Sequence, residues 1–275
     1  MISQAAISPI GLVGCGRMGQ PMLAALRAGG FEAYGFDLRP PETYGAFASA
    51  MTNDVQIFAE GLKTLISVVR DIDQTEDVFF GEQNFARRAT DLKYIIVSST
   101  LSPRYVKALR AKIPAHITLI DAPMSGATIA AKERRLSFML GGSEESLDLL
   151  KPLFEAMGKS LHRMGPFGSG MTAKVLNNLL AASSTAMTRL VLDWADELGL
   201  DECKLLELIE MSSGQNWLAS GFNDIEFARD GYALDNSIGI LEKDVHSALD
   251  AAPRSAETAL PEAVIEAIRR LKPRK

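Results

Sequence analysis

Pro9-Ile10-Gly11-Leu12-Val13-Gly14-Cys15-Gly16-Arg17-Met18-Gly19 decides the fold of this chain. A short apolar run passes into Gly-x-Gly-x-x-Gly. A helical pattern then spans residues 18–28 and stops at Gly29-Gly30. Residues 32–36 read as a second strand, and Asp37 closes it 18 residues past Gly19. The pattern of glycines is weak alone; strand before, helix after and acid at the next strand end give it meaning. The first glycine permits the tight turn, the second lets a pyrophosphate reach the backbone, and the third lets helix and strand pack closely. Phosphates would rest on the free N–H groups of a helix N-terminus. Gly14, Gly16, Arg17, Met18 and Gly19 are therefore expected to bind a dinucleotide. Asp37 is expected to hold the adenosine ribose hydroxyls, which favours NAD. Arg39 can cover a 2′-phosphate or stack on adenine, which leaves NADP open.

The pattern continues outward from that unit. Apolar runs at 64–69 and 94–97 suit parallel strands buried on both faces, and 117–120 and 136–140 read as further strands. Strands alternating with helices imply a Rossmann-type, doubly wound parallel sheet with right-handed crossovers. The pattern changes at Gly165-Pro166. Residues 172–198 hold almost no helix breaker, and at 1.5 Å rise they form a rod roughly 40 Å long. Helical patterns alone follow, at 202–211, 238–251 and 261–271. The expectation is an α/β dinucleotide-binding domain over 1–165 and an all-α domain over 166–275. The long helix would join them and line the cleft.

Composition narrows the function. The chain has 275 residues, 47% hydrophobic and 23% charged, enough for two cores. A net charge of −5 argues against a nucleic-acid partner. Cys15 and Cys203 lie far apart, as do His116, His162 and His246, so neither a disulfide framework nor a metal site is expected. The cysteine usage suits a cytoplasmic protein. No apolar run approaches membrane-spanning length and no leader pattern is visible. The basic tail from Arg269 to Lys275 is expected to fray.

A second motif carries the chemistry. In Gly168-Ser169-Gly170-Met171-Thr172-Ala173-Lys174-Val175-Leu176-Asn177-Asn178, a two-glycine entry leads into the long helix. Lys174, Asn177 and Asn178 share one helix face. One amine that can trade a proton then sits beside amides that can hold an oxygen. Removing hydride from an alcohol carbon also requires removing the hydroxyl proton, so a base must lie within hydrogen-bond reach. Lysine serves where burial and neighbouring cations favour its neutral form.

Four motifs in order resemble the β-hydroxyacid dehydrogenases: the glycine loop with Met18, Asp121-Ala122-Pro123-Met124-Ser125-Gly126, the segment from Gly168 to Asn178, and Lys243-Asp244. The resemblance covers nearly the whole chain. It implies an NAD(P)-dependent oxidoreductase acting on a small anionic 3-hydroxy acid, and a homodimer or homotetramer. It makes Lys174 the catalytic acid/base. It gives the substrate carboxylate to Ser125, Gly126 and Ala127, with Asn178 and Asn177 orienting substrate and lysine. It brings Thr100 to the nicotinamide ribose, Val69 and Arg70 to the cofactor wall, and Lys243 over the nicotinamide. Ala127 stands where the family commonly has a second glycine, and Arg134-Arg135 replaces a usual Gly-Thr or Gly-Ser pair. Asn236-Ser237 replaces a pocket-wall phenylalanine, so Asn236 is expected to face extra substrate hydroxyls, as in the L-threonate branch. An imine reductase on the same fold usually carries aspartate or tyrosine at the position of Lys174. A dinucleotide-sensing module is the non-enzymatic alternative.

Overall fold

The computed structural model describes residues 4–274. Its strands are β1 (Ile10–Val13), β2 (Ala33–Phe36), β3 (Met51–Thr52), β4 (Thr64–Ser67), β5 (Tyr94–Val97), β6 (Thr118–Asp121), β7 (Met124–Ser125), β8 (Leu136–Gly141) and β9 (Gly158–Gly165). They form one sheet in the order β3-β2-β1-β4-β5-β6-β8-β7, with β9 pairing β8. From β3 to β6 every pair is parallel. The doubly wound parallel sheet that the sequence implies runs from β3 to β6, and the sheet continues beyond β6 with mixed direction. There β8 runs antiparallel to β6 and to β7, and β9 returns parallel to β8.

Both faces of the parallel part are apolar, as a doubly wound sheet requires. Leu65, Ile95 and Leu119 stand side by side in register and enter one core. Their successors Ile66, Ile96 and Ile120 enter the other. Period-two alternation sends neighbours to opposite faces, so each strand supplies both cores. The crossover helices are α1 (Gly19–Ala28), α2 (Val55–Ala59), α3 (Ile72–Phe79), α4 (Phe85–Arg88), α5 (Pro103–Lys112), α6 (Ala127–Lys132) and α7 (Glu144–Met157). α1 and α7 close one face through Met22, Leu23, Leu26, Leu150 and Phe154. α3 and α5 contribute Val78, Phe79, Val106 and Leu109 to the other.

The chain divides into two compact units, the first ending at Lys174 and the second starting at Val175. That division falls inside α8 (Ser169–Glu197). The remaining elements of the second unit are α9 (Glu202–Glu210), α10 (Trp217–Ser220), α11 (Ser237–Ala251) and α12 (Ala259–Arg269). Ala182, Ile238, Val245, Ile265 and Ile268 form one of its cores, and Leu192, Leu206, Leu218 and Phe222 form another.

The expected fraying of the tail is wrong for Arg274; Lys275 lies outside the described residues. The Arg274 side chain is only 8% exposed and pairs with Asp193, Asp196 and Glu202. Its backbone N–H donates to Arg229 O at 2.8 Å. Arg189 is buried beneath it. The Arg189 guanidinium donates to the carbonyl oxygens of Ala228, Asp230 and Lys272. Burial alone lifts the Glu202 carboxyl, but Arg229 and Arg274 outweigh it and hold the group below its ordinary value of 4.5. The folded state therefore releases this proton more readily than the unfolded chain. The resulting stability is complete above pH 4.5 and disappears as pH falls through the lower folded value. Thermal melts from pH 7 to pH 3 are expected to show this loss, and Arg274→Ala to flatten it. Parallel curves for the two proteins would reject the linkage.

Candidate active site

The glycine loop has the shape that its sequence implies. Gly14 adopts φ +89°, and a Cβ there would approach the Val68 carbonyl oxygen to 2.8 Å. The loop therefore lies directly against the end of β4. At Gly19 a Cβ would collide with the Gly14 carbonyl oxygen, so glycine is what lets α1 begin so close to β1. At Gly16 a Cβ meets nothing within 4 Å. That open face is where a phosphate can touch backbone. No side chain caps the N-terminus of α1, and no acidic residue occupies its first turn. Gln20 N–H already donates to Gly16 O at 3.1 Å and Pro21 has no N–H, so the N–H groups open to an anion are those of the loop up to Gly19. These features fit a dinucleotide pyrophosphate. Cys15 inside the loop is buried, and burial pushes its thiol up to about 12. A thiolate does not form at neutral pH, so Cys15 serves as a small buried side chain within the loop.

Asp37 and Arg39 form one device. Arg39 Nε and Nη2 reach the two Asp37 carboxylate oxygens, each at 3.2 Å. Arg39 Nη2 also donates to Cys15 O at 3.0 Å and Tyr44 Oη at 2.6 Å. Burial pushes the Asp37 carboxyl up, but the Arg39 guanidinium and backbone N–H outweigh it and hold the group below its ordinary range. At the next strand ends, Val69 and Arg70 follow β4, and Thr100 lies between β5 and α5. Ser98 and Ser99 N–H both donate to Ser67 O, at 2.9 and 3.2 Å, and tie the segment before Thr100 to β4. Arg70 N–H donates to the Gln74 side chain at 3.0 Å.

The start of α8 is fixed by a buried carboxylate. Asp121, at the end of β6, is fully buried. Its Oδ1 accepts from Gly168 N–H at 2.6 Å, and its Oδ2 accepts from Met171 N–H. Burial raises the carboxyl above its ordinary range, and the two N–H bonds pull against that rise. A Cβ at Gly170 would collide with the Met139 carbonyl oxygen and sit 3.0 Å from Asp121 Oδ2, so glycine there lets α8 start against β8 and the carboxylate, whereas Gly168 takes φ +92° beside the Lys107 side chain. One turn into this anchored helix comes Lys174. It is 7% exposed, and its Nζ donates to Ser125 Oγ at 2.9 Å. Ser125 is held by the β7–β8 pairing opposite Ser137.

Gly126 and Ala127 start α6 in unusual backbone. Gly126 has φ +133° and Ala127 has φ +54°. Left-handed alanine is strained. Ala127→Gly is expected to stabilise the protein by about 0.5–1 kcal/mol, because relief of roughly 1–2 kcal/mol exceeds the added unfolded-chain entropy. A thermal melt should rise by about 2–4 °C. A lower melting temperature would show that the alanine methyl makes compensating contacts.

In the second unit, Asn178 Nδ2 donates to Asp244 Oδ2 at 2.5 Å, and Lys243 Nζ lies 2.9 Å from Asp244 Oδ1. Asp244 is buried and holds both groups. Asn177 is exposed and donates to Asn178 Oδ1 at 3.3 Å. Asn236 departs from expectation. Its side-chain oxygen accepts from Gly239 and Ala233 N–H, and its amide nitrogen donates to Gly231 O at 2.7 Å. The polar side chain is spent on capping α11 rather than facing a substrate hydroxyl.

Comparison with known proteins agrees with this geometry. Residues 9–165 match the family model for the NAD binding domain of 6-phosphogluconate dehydrogenase. Residues 168–271 match that for the NAD-binding region of NADP-dependent 3-hydroxyisobutyrate dehydrogenase. A 3-hydroxyisobutyrate dehydrogenase from Pseudomonas aeruginosa is 31% identical over 253 residues, covering 88% of this chain and 85% of that protein. The chain belongs to the β-hydroxyacid dehydrogenase family. An NAD-dependent L-serine dehydrogenase from the same organism is 29% identical, covering 90% of this chain and 87% of that one. A Mycobacterium tuberculosis 3-hydroxyisobutyrate dehydrogenase, solved with L-serine, shares the fold with a TM-score of 0.80. It is 24% identical, and coverage is 96% of this chain and 95% of that one.

This β-hydroxyacid dehydrogenase is an NAD(P)-dependent oxidoreductase. The structure brings together Lys174 with Ser125, Asp37 with Arg39, and Asn178 with Asp244 and Lys243. Asp121 and Asp244 were given no role from sequence. The signal for Asp121 was present: an acid directly before Ala122-Pro123, and a Gly-x-Gly helix entry with no capping side chain of its own. Among the described residues, no group of three or more His, Cys, Asp or Glu is placed to hold a metal. No helix among them is long and apolar enough to cross a membrane.

Proposed function

We propose that Lys174 is the acid/base for interconversion of a small 3-hydroxy acid and its semialdehyde or keto form. The supporting observation is the 2.9 Å bond from Lys174 Nζ to Ser125 Oγ on a lysine that is almost wholly buried. When bound, the nicotinamide takes up or returns the hydride. Lys174 takes the hydroxyl proton in oxidation and returns it to the carbonyl oxygen in reduction. Ser125 and the backbone of Gly126 and Ala127 receive the substrate carboxylate. Ser125 Oγ also holds the amine in place, so carboxylate and amine share one anchor. Asn178, one turn beyond Lys174 on α8, orients a substrate oxygen with its amide fixed by Asp244.

NAD is the preferred cofactor in this reading. The Arg39 guanidinium is committed to Asp37, Tyr44 and the Cys15 carbonyl. A 2′-phosphate would meet the Asp37 carboxylate instead, whereas ribose hydroxyls can donate to it. The test is absorbance at 340 nm with NAD and NADP against 3-hydroxyisobutyrate, L-serine, L-threonate and their oxidised forms. Reduction of NAD by at least one acid, at higher kcat/KM than with NADP, is expected. Tight cofactor binding with no turnover across the set would replace this reading with a dinucleotide-sensing module.

The second unit also supports a homodimer. Leu176, Leu180, Met187 and Trp194 are exposed along α8, between 55% and 71%, and Leu198 just past its end is 83% exposed. An apolar stripe on a long helix can meet the same stripe of a second copy across a two-fold axis. Sedimentation should give a multiple of the 29.8 kDa chain mass, and Leu180→Glu should lower it. A monomer before substitution would reject the assembly.

A further inference from the structure

We propose that the groove between α1 and α6 is an anion site beside the dinucleotide loop, sharing Arg17 alone with it, and suited to a small molecule bearing two or more negative charges. The groove holds about 480 Å³. Arg17, Gln20 and Ala24 line one side, and Thr128, Lys132 and Arg134 line the other. Gln20 and Ala24 lie one turn apart on α1, with Arg17 in the turn before it, and Thr128 and Lys132 lie one turn apart on α6. The open face at Gly16 is not part of this lining.

Charge gives the groove its meaning. The chain carries a net −5, yet among the described residues no carboxylate lines the groove. Arg17, Lys132 and Arg134 take part in no ion pair among the described residues, and the nearby Glu133 is committed to Arg135 at 2.6 Å. Like charges gathered in a concave wall focus a positive potential, which a multivalent anion relieves. The Gln20 amide and Thr128 hydroxyl add neutral donors. Phe47 adds an apolar face. A ligand with a phosphoryl group or several carboxylates on a compact body fits this lining.

Backbone gives an independent observation. α6 ends in a paired C-terminal motif: Arg134 N–H donates to Ala131 O at 3.3 Å and Arg135 N–H to Ala130 O at 2.7 Å. That motif puts its penultimate residue in left-handed backbone, where glycine is the default. Arg134 takes the position with φ +56°. The fold carries an arginine where glycine costs less, and that arginine lines the groove.

The test is calorimetric titration of the NAD-saturated enzyme at low ionic strength with inorganic phosphate and, separately, with citrate. Saturating NAD occupies the loop, so binding there does not contribute. Saturable binding of at least one anion is expected, and its identity separates phosphoryl from polycarboxylate ligands. Arg134→Gly suits the backbone and keeps the fold; it should weaken binding at least tenfold, as should Lys132→Ala. Arg135→Ala should leave binding unchanged. The proposal is overturned if neither anion binds saturably, if NAD abolishes the binding, or if both groove variants bind as tightly as the parent. Because the readout is binding, its failure is distinguishable from failure of the catalytic assignment.

Discussion

Lys174→Ala is expected to lower kcat by about 10²–10⁴-fold, the usual contribution of a positioned acid/base, while NADH binding changes little. The amine touches Ser125, and the dinucleotide loop is built from other residues, so cofactor affinity measured by NADH fluorescence should survive. Loss confined to kcat marks a group used in the transition state rather than in ground-state binding. Lys174→Arg should not restore turnover, since a guanidinium keeps its proton at any workable pH. Ser125→Ala provides the contrast: the lysine loses its anchor and the carboxylate a donor, so KM rises together with a smaller fall in kcat. Near-parental kcat in Lys174→Ala would remove the lysine from the mechanism.

Asp121→Ala is expected to cost roughly 3–5 kcal/mol, because it orphans two buried N–H donors and removes charge-assisted bonds. The melting temperature should drop on the order of 10 °C. Asp121→Asn should fall between the two proteins. Its carbonyl oxygen keeps one bond, but its NH₂ faces the other N–H. Gly168 and Met171 are the residues released, and Lys174 follows them by one turn. The folded fraction of either variant should therefore also show reduced kcat. A melting temperature within about 2 °C of the parent would show that water or backbone replaces the carboxylate.

The parallel core was legible because buried strands are apolar on both faces, as at Leu65-Ile66 and Ile95-Ile96. Two strands escaped notice because they are two residues long, β3 and β7. β9 escaped for another reason. It is an edge strand carrying Lys159, Ser160, His162 and Arg163, mostly exposed, and polar edges discourage further pairing. The direction of β8 was not legible either. Apolarity at Leu136, Phe138 and Leu140 reports burial, whereas direction follows from pairing with β6 and β7.

In the site, Lys174 and Ser125 were legible as separate motifs. Their hydrogen bond spans 49 positions and appears only once the chain is folded. Asp121 was harder still, since its partners lie 47 and 50 residues on. Asn236 was misread because an amide before a helix serves a cap and a pocket equally well in sequence. Backbone donors, which sequence does not display, decided between them.

The anchoring of Arg189 sets an order of events during translation. One of the carbonyls that receives its guanidinium belongs to Lys272, 83 positions later. While the ribosome still shields that segment, Nη1 can reach Ala228 and Asp230 but Nη2 lacks its acceptor, so the packing of α8 against the chain that follows it stays incomplete. The sheet unit has no such debt, since Asp121 finds its last partner at Met171. The nucleotide-binding half can mature on the emerging polypeptide, while the helical half waits for residues 272–274 to leave the exit tunnel.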